Sequence, residues 1–126
     1  MIEKNSLERG VIMKIKVIEK YHGYGGKRPI FPTFPKGTTV VITGEVDNDF
    51  AHWYPCEING YETFIPESFI CGGLLARDYN PTELRQEKGD ILEVQEIVNA
   101  WLVATNADGR TGWIAAESVV STVTSY

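Results

Sequence analysis

Residues 91–115 read Ile91-Leu92-Glu93-Val94-Gln95-Glu96-Ile97-Val98-Asn99-Ala100-Trp101-Leu102-Val103-Ala104-Thr105-Asn106-Ala107-Asp108-Gly109-Arg110-Thr111-Gly112-Trp113-Ile114-Ala115. Three runs in this stretch, 91–98, 101–105 and 111–115, carry strand signals. The last two flank Asn106-Ala107-Asp108-Gly109, a turn sequence containing Asp-Gly. Working outward, Lys14-Ile15-Lys16-Val17-Ile18-Glu19 alternates apolar and polar side chains with period two. Thr38–Thr43 is β-branched at every position, and Ile58-Asn59-Gly60-Tyr61 holds a matching Asn-Gly turn. No stretch sustains a 3.6-residue pattern between good caps, so almost no α-helix is expected.

The order of these features repeats, and the repeat governs the fold reading. The first half runs Tyr21, Lys36-Gly37, Trp53, Asn59-Gly60, then Phe64-Ile65-Pro66-Glu67-Ser68-Phe69-Ile70. The second runs Tyr79, Lys88-Gly89, Trp101, Asp108-Gly109, then Trp113-Ile114-Ala115-Ala116-Glu117-Ser118-Val119-Val120. The first repeat has the longer first loop, with Tyr21 sixteen positions before Gly37 against ten from Tyr79 to Gly89. The boundary falls at Cys71-Gly72-Gly73, which places a first unit at 13–70 and a second at 74–121, touching across a short linker. Contact would help, because a unit of about 60 residues is marginal alone. Residues 1–12 are polar, and codons for Glu8-Arg9-Gly10 can resemble a ribosome-binding site just upstream of Met13. They are expected to be a translated leader or disordered N-terminus, with Met13 the true start.

Over residues 14–120 these patterns resemble the Src homology 3 family, most clearly in the second repeat. Ala76-Arg77-Asp78-Tyr79 resembles the family's Ala-Leu-Tyr-Asp-Tyr opening. Glu83-Leu84 with Lys88-Gly89-Asp90-Ile91-Leu92-Glu93-Val94 resembles its diverging turn and second strand, and Trp101 stands at the groove tryptophan. Gly112-Trp113-Ile114-Ala115-Ala116-Glu117-Ser118-Val119 resembles the closing Gly-Leu-Phe-Pro-Ser-Asn-Tyr-Val. The resemblance implies an all-β fold: two small five-stranded barrels in tandem, packed against each other. Each would be strongly bent, with a short 3₁₀ turn before its last strand.

The family binds proline-rich peptides on a shelf of aromatic rings. A polyproline II ligand is already extended, so docking costs little conformational entropy. In the second repeat Tyr79 and Trp101 keep two shelf positions, while Arg77, Ala115 and Ser118 replace the opening Tyr, the groove Pro and the closing Tyr. That barrel is not expected to read proline. In the first repeat Tyr21, Trp53, Pro66 and Phe69 fall at shelf positions, Glu19 replaces the opening Tyr, and Tyr24, Phe31, Phe34 and Tyr54 are nearby aromatics. Peptide binding is thus assigned to Tyr21, Trp53, Pro66, Phe69 and Tyr24, with Tyr79 and Trp101 as the remnants in the second repeat. Prolines at 29, 32 and 35 recur at the polyproline II period. They read either as a built-in ligand for such a shelf or, more simply, as stiffeners that block edge pairing.

The composition is globular: 43% hydrophobic and 23% charged, with a net charge of −5. That balance argues against nucleic acid or an anionic membrane as the partner. Residues 13–70 carry six basic and seven acidic side chains, whereas 71–126 carry four and eight, so a basic partner should prefer the second half. Residues 1–10 have no apolar core of a signal peptide, so both thiols, Cys56 and Cys71, are expected to be reduced and buried in the cytoplasm. The spacing of His22, His52, Cys56 and Cys71 matches no zinc pattern, and no cofactor is expected. His22–Lys27 is followed by prolines rather than a helix N-terminus, which disfavours a phosphate loop. Asp47, Asp49 and Glu57 show no catalytic pairing, so no enzyme is expected. Trp113 reads as packed core or as a seam between barrels.

Three functions follow: a module that reads an extended or proline-rich peptide on the first shelf; a partner-neutralising (inhibitor or immunity-type) or structural protein acting through the acidic second barrel or the seam; and a cell-wall-binding module. In each case the partner's identity, and the oligomeric state, are not written in the sequence.

Overall fold

A computed structural model describes residues 13–19, 30–46 and 52–122. Among them are ten strands and no α-helix: β1 (Lys14–Val17), β2 (Val41–Ile42), β3 (Trp53–Ile58), β4 (Tyr61–Pro66), β5 (Ile70–Cys71), β6 (Leu74–Leu75), β7 (Ile91–Val98), β8 (Trp101–Thr105), β9 (Thr111–Ala115) and β10 (Val119–Ser121). Short 3₁₀ turns at Glu67–Phe69 and Ala116–Ser118 precede β5 and β10, where the resemblance implied one before each last strand. The chain divides into two units, Pro29–Thr82 and the segments on either side of it.

In the flanking unit one antiparallel sheet runs β10-β1-β7-β8-β9. The alternation of β1 sends Ile15 and Val17 inward, and Leu92, Val94, Leu102, Ala104, Trp113 and Ile114 are buried with them. Each buried aliphatic side chain of this size contributes about 1.5–3 kcal/mol. Trp113 is packed core. Asn99 and Ala100, at φ 44° and 70°, form a two-residue turn between β7 and β8. The β8–β9 loop is fixed by Asn106, whose Oδ1 accepts the N–H groups of Asp108 and Arg110 at 3.0 and 2.9 Å. Asn106 Nδ2 donates to Gln86 Oε1 at 3.0 Å, and the buried Gln86 donates to Asp90 Oδ2 at 2.8 Å. The buried amide is thus satisfied on both sides, as burial requires.

Unit 29–82 has a β2-β3-β4 sheet and a β5-β6 pair, joined by a bridge between Thr39 and Leu74. Phe34, Val40, Cys56, Ile58, Ile65 and Leu75 are buried. Asn59-Gly60 makes the expected β3–β4 turn, at φ 51° and 84°. The strand succession is the same as in the flanking unit, with β6 in the place of β1. Gly37 N–H donates to Leu75 O at 2.8 Å here, and Gly89 N–H donates to Val17 O at 2.7 Å there.

Two expectations are corrected. The strand orders are open, so neither unit is a closed five-stranded barrel. Nor do the repeats stand one after the other as 13–70 and 74–121. Strand β1, expected in the first, pairs with β7 and β10. Strand β6, expected in the second, pairs with β5 and reaches Thr39. The cause is local. Gly72 and Gly73, read as a linker, lie at φ 60° and 79° between the paired residues Cys71 and Leu74. Positive φ at both central positions is the signature of a type I′ hairpin turn. The chain therefore folds straight back along β5 and leaves for the flanking unit only after Thr82.

Candidate functional site

Trp53 opens β3 directly opposite Pro66, the last residue of β4. Pro66 stops the strand and leads into the 3₁₀ turn that delivers Phe69. The turn is anchored by Glu67 N–H donating to His52 O at 2.7 Å. Tyr79 arrives from beyond the Gly72-Gly73 hairpin. Its ring meets Phe69 edge-on, 5.4 Å between centroids, and its hydroxyl donates to Phe64 O at 2.5 Å. Backbone bonds to Phe34 in both directions, 2.8 and 2.9 Å, lock it in place. The Arg77 guanidinium lies 4.2 Å from the centre of the Phe69 ring, a cation–π contact.

Tyr79 and Arg77, expected in the second repeat, thus both lie against Phe69 of the first. Of the residues expected on the first shelf, Trp53 stands opposite Pro66 and Phe69 follows after the 3₁₀ turn; the ring packed on Phe69 is Tyr79, expected in the other repeat. Tyr21 and Tyr24 lie outside the described residues, as do residues 1–12, the His22–Lys27 segment, Pro29, Asp47 and Asp49. In the sequence pattern Arg77 stands only as a replacement for the opening Tyr. The signal that would have placed it correctly is the Gly-Gly pair between apolar runs, a hairpin sequence.

The assembled rings are not presented to solvent. Trp53 is 5% exposed, Phe69 and Tyr79 3%, and Pro66 is fully buried. A ring must offer a face before a proline can stack on it. Trp101, at the groove position of the second repeat, is also buried and stands opposite Ala115. The turn before it is only Asn99-Ala100, so no loop between β7 and β8 rises beside it to wall a groove.

Pro32 and Pro35 are exposed. Their neighbours Phe31 and Phe34 turn inward instead, edge-on to Tyr61 at 5.8 and 5.6 Å. Phe31 N–H donates to Thr82 Oγ1 at 2.8 Å, so this proline segment is one limb of a paired loop. The stiffening reading fits this geometry.

Burial pushes the Cys56 thiol up from 9.0 to about 12, so it stays protonated and is a poor nucleophile. Cys71, expected to be buried, is exposed at the end of β5. His52 Nδ1 sits 3.4 Å from Glu67 Oε1 on the surface. Among the described residues no three His, Cys, Asp or Glu side chains gather as a metal-binding group.

The exchange of strands also moves the charge. Cut at 28/29 and 82/83, the sequence puts two basic and seven acidic side chains in 29–82, a net of −5, and ten of each in the rest, a net of zero. Counted by structural unit, the acidic excess falls in 29–82, with Asp47 and Asp49, two of its seven acids, outside the described residues. Comparison with curated proteins and with solved structures gives no match. Residues 75–120 match the family model of the variant SH3 domain, nearly the span 74–121 expected for the second repeat, although in the structure this span begins in unit 29–82.

Proposed function

We propose that the chain is a non-catalytic, cytoplasmic protein–protein interaction module whose working surface lies on unit 29–82 and whose partner is basic. The variant SH3 match supports the module, since domains of this type mediate protein interactions. Two unpaired cysteines suit a reducing compartment. The observation that carries the choice of surface is the sorting of charge, −5 on one unit and zero on the other. Such a field steers a basic partner and disfavours acidic ones.

The second reading, a proline-rich peptide on the shelf, rests on the meeting of Trp53, Pro66, Phe69 and Tyr79. It requires those buried rings to open. Titrating the ¹⁵N-labelled chain with an arginine-containing proline-rich peptide library separates the two. Salt-sensitive shifts at exposed acidic positions of 29–82 support the acidic surface. Shifts centred on Trp53, Phe69 and Tyr79, lost in Trp53→Ala, support the shelf and overturn the first reading.

A further inference from the structure

Residues directly opposite each other on neighbouring strands share a face of the sheet. Glu57 stands opposite Val41 on one side and Glu62 on the other. Thr39, two residues before Val41, bridges to Leu74, which pairs with Cys71. The register thus lays Cys71, Leu74, Thr39, Val41, Glu57 and Glu62 along one side of unit 29–82. All six are exposed. Val40, between Thr39 and Val41, is buried, so the two faces are distinct.

Two features of this face run against what stability alone would select. Val41 is 52% and Leu74 43% exposed, leaving apolar surface in water at its centre. Glu57 and Glu62 are like charges directly opposite, which destabilises a strand pair. Both features become favourable once a cationic, partly apolar surface covers the face. We infer that this face docks a basic segment of a partner protein, its aliphatic side chains on Val41 and Leu74 and its lysine or arginine between Glu57 and Glu62. The inference rests on the interaction-module reading above and gives it an address away from the buried rings.

The full ¹⁵N-labelled chain is first diluted alone. It is then titrated with a capped peptide of alternating valine and lysine and, separately, with the matching valine–glutamate peptide. The lysine peptide alone should shift the amides of Thr39, Val41, Glu57, Glu62 and Leu74, and added salt should weaken it. The E57Q/E62Q variant should bind about tenfold more weakly while melting no lower than the parent, since a repulsive pair has been removed. Absent shifts, or equal shifts with the glutamate peptide, would overturn the inference. Shifts of these amides on simple dilution would give the face to a second copy and also overturn it. Salt-sensitive shifts elsewhere on 29–82 would overturn the face and leave the acidic-module reading standing. Salt-insensitive shifts at Trp53, Phe69 and Tyr79 would overturn both.

Discussion

Cys56 and Cys71 carry the same side chain into opposite surroundings, one buried on the central strand β3 between β2 and β4, the other exposed at the edge of a hairpin. Ellman's reagent should therefore titrate one thiol in the native chain and two in denaturant. The same burial has a pH consequence. Unfolded, the Cys56 thiol ionises near 9; folded, it holds its proton to about 12. Between those values only the unfolded chain loses the proton, so the contribution of Cys56 to stability is constant below pH 9 and falls as pH rises toward 12. Urea midpoints across this range should decline more steeply for the parent than for Cys56→Ala. Tyr79 makes a different point. Its hydroxyl is donated to Phe64 O, part-buried, at 2.5 Å. Tyr79→Phe removes this hydrogen bond and should cost about 1 kcal/mol in denaturant unfolding. The sequence marks Tyr79 as a shelf ring of the second repeat, but in the structure it is buried against Phe69; a ring that reads ligand and a ring that braces a loop are spelled identically. Only burial separates them, and burial depends on neighbours far along the chain.

Turns decide how much of each element the sequence reveals. Strands β7, β8 and β9 were legible to the residue, because period-two alternation and β-branched runs coincide there. Asn59-Gly60 was legible because both residues tolerate positive φ. The β7–β8 turn was not, because Ala100 adopts φ 70° without any turn signature in its side chain. A β-carbon in that conformation costs roughly 1–2 kcal/mol. Ala100→Gly should remove most of it and stabilise the chain by about 1 kcal/mol, offset in part by the greater entropy of the unfolded glycine. Thermal unfolding checks this, and a lower melting temperature would mean the turn is not the one described. Thr38–Thr43 shows the reverse error. Its composition promises a six-residue strand, but its two ends find different partners, Leu74 for Thr39 and β3 for Val41–Ile42. Only Val41–Ile42 remains a strand.

At the scale of the molecule, a repeat in sequence says that one pattern occurs twice, not which copy's first strand completes which sheet. A tight Gly72-Gly73 turn favours β6 beside β5 at once, while β1 must reach β7 across more than seventy residues. That reach is affordable, because each doubling of a flexible connection adds only about 0.6 kcal/mol to closure. The exchange is what moves the acidic charge onto unit 29–82 and what seats Tyr79 on Phe69, so both functional readings depend on it. It can be tested directly. Lys16 and Ile91 are exposed cross-strand partners, the equivalents of Leu74 and Thr39 in the other unit. In a Cys71→Ser background, K16C/I91C should close an intrachain disulfide under mild oxidation, read by non-reducing electrophoresis and peptide mass. K16C/T39C should not. If the second pair closes and the first does not, β1 lies within its own repeat, Tyr21 returns to the shelf beside Trp53, and the acidic surface must be reassigned. If the first pair closes only between chains, the exchange is made with a second copy.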